Sequence, residues 1–133
     1  KIVHTGSLGH EFYFRRCPLY MNKLERDIEK NLGMILGEWD CLYLKFVSPG
    51  HAGVPDRIIL TPGGHVVFVE LKQAGKELRP LQVFWQKTLT RMHFAAFVVS
   101  DNDSARKCLH YILEVLRQEE DAEMKEGLSE YDI

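Results

Sequence analysis

The sequence predicts a mixed α/β fold in the order α-β-β-β-α-β-α, one sheet with helices on its faces. Three observations predict it. Apolar residues recur at helical spacing in three segments, and four short runs rich in Val, Ile, Phe and Tyr have strand character. A hairpin turn followed by a helical crossover then sets the early strands antiparallel and the last one parallel, through a right-handed connection.

Each element follows from its own residues. Leu24, Ile28, Leu32, Ile35 and Leu36 share a stripe, so a helix begins near Met21 and ends near Gly37. CLYLKFVS (41–48) reads as a strand closed by Pro49-Gly50. VPDRIILT (54–61) and HVVFVELK (65–72) flank the turn Pro62-Gly63-Gly64 and read as a hairpin. Positions 66–69 are apolar throughout, as in a strand buried on both faces. Pro80 suits the first turn of a helix over 80–93, with Leu81, Trp85, Leu89 and Met92 on its inner stripe. FAAFVVS (94–100) is a further buried strand. Asp101 or Asp103 can cap a last helix that faces the core through Leu109, Ile112, Leu113 and Leu116. Residues 1–20 have no period and read as an arm or a cloning remnant.

Composition narrows the possibilities. With 133 residues, 45% of them apolar and 27% charged, the chain fits one globular domain and neither a disordered nor a fibrous protein. No apolar run approaches the ~20 residues of a membrane helix and no signal peptide is visible, so a cytoplasmic protein with no membrane partner is expected. Cys17, Cys41 and Cys108 form no C-x-x-C pair and read as inert thiols of a reducing compartment. Residues 118–133 carry seven acids and one base, which leaves residues 1–117 at +4 within a chain of −2. A basic body with an acidic tail is compatible with a polyanion partner; a solvated acidic terminus is the plainer reading.

The chemistry concentrates in GHAGVPDRIILTPGGHVVFVELK (50–72). Asp56 opens one strand of the hairpin, and Glu70 and Lys72 close the other, so the two ends are neighbours. Glu70 and Lys72 lie about 6.8 Å apart on one strand face. They share it with Val66 and Phe68, where apolar surface is expected, and buried charges must be paired or bind metal. Two converging carboxylates suit Mg²⁺ or Mn²⁺, and an adjacent lysine can orient an attacking water or stabilise charge on a phosphate. That describes metal-assisted phosphodiester hydrolysis. The same spacing recurs at Glu123-Met124-Lys125, in a polar helical tail without a strand or an upstream Pro-Asp. The plainer reading of the hairpin is an Asp at a strand entry and a Glu/Lys pair guarding a sheet edge.

The stretch from Glu25 in LERDIEKNL, through KFVSPGHAGVPDRIIL and VVFVELKQAGKELRPLQVFWQ, to AAFVVS resembles the VRR-Nuc (virus-type replication-repair nuclease) family of the PD-(D/E)xK superfamily. It is similar above all to the compact stand-alone phage and prophage type. The resemblance implies a restriction-endonuclease-like fold over residues 21–117. It implies Asp56, Glu70 and the Leu71 carbonyl as metal ligands, Lys72 as the catalytic lysine, Glu25 as a helix-borne acid completing the metal site, and Gln82 as the glutamine of the next helix. It further implies Mg²⁺ or Mn²⁺, a DNA substrate branched as in a four-way junction, and a homodimer like the Holliday-junction resolvases. A monomeric flap or linear-DNA nuclease, or a DNA-binding or assembly module that keeps the motif for structure, are the alternatives.

Around this centre the residues leave choices open. Glu25 flanks the stripe of the first helix, and Glu29, one turn on, could also reach the sheet edge. Lys45, Arg57, Lys76, Arg79 and Lys87 are candidate phosphate contacts or residues of a solvated face, and His51 could touch DNA from its glycine-flanked loop. The six histidines show no metal-ligand spacing. Helical spacing places Phe84 and Trp85 in the core, in preference to the alternative of base-stacking platforms.

Overall fold

The structure, a computed structural model, describes residues 28–131. Its elements follow the predicted order: α1 (Ile28–Glu38), β1 (Leu42–Lys45), β2 (Arg57–Leu60), β3 (Val66–Leu71), α2 (Pro80–Arg91), β4 (Ala95–Val99) and α3 (Asn102–Tyr131). The four strands lie in the order β1-β2-β3-β4, antiparallel up to β3 and parallel between β3 and β4. The arm over residues 1–20, Leu24, Glu25 and Cys17 lie outside the described residues.

Side-chain alternation divides the sheet into two faces. Val67 and Val69 of β3 and Ile59 of β2 pack with Leu32, Ile35 and Leu36 of α1 and with Cys108, Leu109 and Ile112 of α3 in one buried cluster. Burying each such side chain stabilises the fold by about 1.5–3 kcal/mol, which makes this the main core. The other face carries Phe68, packed edge to face on Phe94 and tilted against Phe46, and is covered by α2. Burial pushes the Cys41 and Cys108 thiols up to about 12, so both stay protonated and unreactive at neutral pH.

Helix ends explain where the boundaries fall. α1 runs past Gly37 and closes on Asp40, whose φ of 60° places it in the left-handed region. Cys41 N–H donates to Leu36 C=O at 2.9 Å and Asp40 N–H to Gly37 C=O at 3.2 Å, the paired bonds of a Schellman stop. His93 (φ 69°) closes α2 in the same way, with Phe94 N–H on Leu89 C=O at 3.0 Å. Asp101, the first of the two predicted caps, accepts the Ser104 N–H at 2.8 Å and starts α3. Its carboxyl is held below the usual range by those Ser104 bonds.

One expectation is corrected. On α2, Leu81, Phe84 and Met92 are exposed, and the inward line is Gln82, Trp85 and Leu89. Trp85 and Leu89 keep the expected inner positions, and only the helix start differs: Gln82 takes the place of Leu81, with its amide bonded to Glu70 and Lys72. The last helix, α3, continues through the acidic segment to Tyr131, in keeping with a helical tail. Its Glu, Lys, Ala and Met residues are good helix formers. Glu119 is buried, accepting from Thr61 Oγ1 at 2.6 Å and Gly63 N–H at 2.9 Å and lying 2.5 Å from His65 Nδ1.

Candidate active site

Asp56 immediately precedes β2. The β2–β3 ladder pairs Arg57 with Val69, so one further step sets Asp56 opposite Glu70, on the same face as Phe68 and Lys72. Asp56 is exposed at the sheet end, while Glu70, flanked by β2 and β4, is only 2% exposed. The Leu71 N–H donates to Asp56 Oδ2 at 3.0 Å and fixes that carboxylate against the end of β3. Leu71 thus acts on Asp56 through its N–H, whereas the resemblance assigns a role to its carbonyl.

Gln82 joins the remaining groups. Its Nε2 donates to Glu70 Oε1 at 2.8 Å, and its Oε1 accepts from Lys72 Nζ at 2.9 Å and from the Arg79 N–H at 2.8 Å. The network fixes the amide orientation, because both carbonyl partners are donors and the third is a carboxylate. The local sequence dictates the placement. Pro80 opens α2 after an extended Arg79, and Gln82, as the third helical residue, is where a capping side chain returns to the N-cap amide.

Electrostatics follow from the crowding. Burial, then the Asp56 charge, raises the Glu70 carboxyl to about 7, with Lys72 pulling the other way. Two hard oxygen donors held together at a cost, one open to solvent, are a donor set that a divalent cation relieves. Among the described residues no group of three or more His, Cys, Asp or Glu is placed to hold a metal ion together. Two carboxylates suffice for Mg²⁺, which keeps several waters and is commonly held by one or two. The residues present fit such an ion.

The outlying candidates divide by face. Arg57, next to Asp56, points to the opposite side of the sheet, where it pairs with Glu29 and lies 5.2 Å over the Tyr43 ring. Lys45 is its cross-strand partner and shares that face. A cleft of about 380 Å³ lined by Glu29, Lys30, Gly33, Tyr43 and Arg57 opens there. Glu29 is thus engaged by Arg57, not by the acids of the hairpin. Lys76, Arg79 and Lys87 are exposed on the α2 side, with the catalytic candidates. His51 meets Ser48 Oγ at 3.3 Å and the Trp85 ring edge at 5.7 Å. Sequence reasoning missed the Trp85 Nε1–Ala52 C=O bond of 3.0 Å, which ties α2 to the loop before Asp56. No local pattern announces a contact across 33 positions.

A four-stranded mixed sheet with helices on both faces, ending in an Asp, a Glu and a Lys, defines a restriction-endonuclease-like nuclease domain. A solved structure described as a VRR_NUC domain shares the fold, with a TM-score of 0.59 at 23% identity over 65% of this chain and 94% of its own. "Putative nuclease p44" of Acyrthosiphon pisum secondary endosymbiont phage 1 is 35% identical over 79 residues, 59% of this chain and 85% of that protein. No family model matches the sequence. The chain belongs to the VRR-Nuc nucleases of the phage type.

Proposed function

We propose that the protein is a Mg²⁺- or Mn²⁺-dependent DNA endonuclease that hydrolyses phosphodiester bonds at Asp56, Glu70, Lys72 and Gln82, acting as a homodimer on branched DNA. The observation that carries the reading is the Gln82 amide, bonded at once to Glu70 and Lys72. A sheet-edge ion pair needs no such bridge, since Glu70 and Lys72 would serve it alone. Membership of a nuclease family and a relative named as a nuclease support the reaction class.

In this reading Asp56 and Glu70 hold the cation, with the Leu71 carbonyl and, from outside the described residues, Glu25. A bound cation would supply Lewis acidity, making the attacking water more acidic and neutralising a phosphoryl oxygen. The chain's own groups do the positioning. Leu71 N–H aims Asp56, and Gln82 Nε2 aims Glu70. Gln82 Oε1 holds Lys72 Nζ where a positive charge stabilises the pentavalent phosphate or orients the nucleophile. Exposed Lys76, Arg79 and Lys87 supply phosphate contacts that set the strand without reading its sequence.

The test is the purified chain with Mg²⁺, Mn²⁺ or EDTA on four-way junction, flap, single-stranded and duplex DNA. Metal-dependent nicking of the junction ahead of the linear substrates is expected. Cleavage of flaps or linear DNA by a monomer contradicts the branched-DNA and dimer parts and leaves the nuclease. No cleavage of any DNA with either metal contradicts the whole.

A further inference from the structure

Helix α2 presents the wrong residues to solvent for a surface helix. Leu81 is 53% exposed and Phe84 51%, although Leu89 two turns on is buried. Exposed large apolar groups that adjoin one another mark binding surfaces. These adjoin an aromatic array. Phe84 meets Trp85 edge to face at 5.5 Å, and Trp85 meets His51 in the same manner at 5.7 Å. The Trp85 Nε1 bond to Ala52 C=O locks the array, as does Gly53. A Cβ on Gly53 would stand 2.7 Å from the Leu81 Cβ, and its φ of +86° already requires glycine.

Position decides what this surface meets. Gly53 lies three residues before Asp56, and Leu81 is covalently next to Gln82, so the array borders the active site on two sides. Along the segment 73–92 that carries Leu81, Phe84 and Trp85, Lys76, Arg79, Lys87 and Arg91 are exposed and without an ion pair to any described residue, against Glu77 as the one acid of that segment. Cations outside and aromatic faces between them suit a nucleic-acid strand: phosphates take the charges and a base takes the ring.

Resting on the nuclease reading above, we propose that His51, Leu81, Phe84 and Trp85 form a stacking platform for one unpaired nucleobase of the strand being cut. Every base has a π-face, so the platform selects structure and not sequence. A continuous duplex keeps its bases stacked and cannot supply one, whereas a branch point or single strand can. The array thereby gives the active site a preference for unpaired or branched DNA.

The test is equilibrium binding of the full chain and of Phe84→Ala in EDTA, to a single-stranded oligonucleotide and to its fully paired duplex. The single-strand to duplex affinity ratio should fall by about five- to hundredfold in Phe84→Ala. Phe84→Trp, which keeps the ring, should restore it and show that folding is not the cause. Trp39 is 2% exposed, so emission quenching reports Trp85: it should appear with a normal strand and fade when abasic sites replace the bases. An unchanged ratio, or equal quenching by abasic DNA, overturns the platform and leaves the nuclease standing. A lower mass of Phe84→Ala in light scattering assigns the surface to a second copy of the chain and also overturns it. Wild-type protein that binds no DNA overturns the nuclease reading and the platform together.

Discussion

Glu70 is the residue on which stability and function pull in opposite directions. Its carboxyl, raised from 4.5 to about 7, is deprotonated more readily in the unfolded chain than in the fold. The folded state therefore binds more protons between those values, and stability falls as pH rises from about 4.5 to about 7. Glu70→Gln should remove that penalty. In urea denaturation with EDTA, the variant should be more stable than wild type at pH 8 by about 1–3 kcal/mol, and the gap should close toward pH 4.5. A variant less stable than wild type at pH 8 would mean that the charged Glu70–Gln82 bond outweighs burial. Lys72 is predicted to behave differently from the acids. Lys72→Ala should keep divalent-cation binding in calorimetry and lose cleavage by at least tenfold, because its charge acts on the phosphate. Equal loss of cation affinity would reduce it to a structural partner of Gln82.

Between elements, single polar residues make the joins. Gln82→Ala removes three hydrogen bonds and leaves Glu70 and Lys72 without their shared partner. A cost of about 1–3 kcal/mol in chemical denaturation is expected, together with loss of cleavage. Glu119 joins α3 to the β2–β3 turn, and the approach is so close that a Cβ on Gly63 would sit 2.3 Å from the Glu119 carboxyl carbon. Glu119→Ala should cost about 1–3 kcal/mol by removing the acceptor of the Thr61 hydroxyl's 2.6 Å bond and leaving the Gly63 N–H without its partner, and Gly63→Ala should be comparably damaging. These joins also mark what the sequence could and could not reveal. Local periodicity placed all seven described elements, since Val66–Val69 or Leu109–Leu116 each carry their pattern within a few residues. Pro-Asp and Glu-x-Lys flanking one turn located the two acids and the lysine, because a hairpin brings strand ends together by its geometry alone. The helical stripe over 81–92 misled, since it counted Leu81, Phe84 and Met92 as core. At the start of α2 the inward residue is Gln82, bonded to Glu70, a partner twelve residues away. Arg57 is similar: strand alternation separates it from Asp56, but only the tertiary fold supplies Glu29 and Tyr43 as its partners.

At the scale of the molecule, charge is segregated along the chain, and α3 carries the acidic part. Deleting residues 122–133 removes a net charge of −3 while sparing Glu119, and should raise DNA affinity at low salt with an effect that fades as salt rises. Deleting residues 118–133 should also lower stability, because the Thr61–Gly63–Glu119 join goes with it. Affinity measured by anisotropy at several salt concentrations, beside thermal melts of both truncations, separates the two effects. A single domain of this kind covers little DNA, ~600–1,000 Å² for one module, which favours paired protomers on a branch. Light scattering at micromolar concentration should therefore report a dimer. One measurement tests the central claim most directly: nicking of a labelled four-way junction by wild type, Asp56→Asn and Glu70→Gln across a Mg²⁺ titration. The account predicts metal-dependent nicking by wild type and none by either variant, even at saturating Mg²⁺. Wild-type turnover in either variant at saturating Mg²⁺ would contradict it.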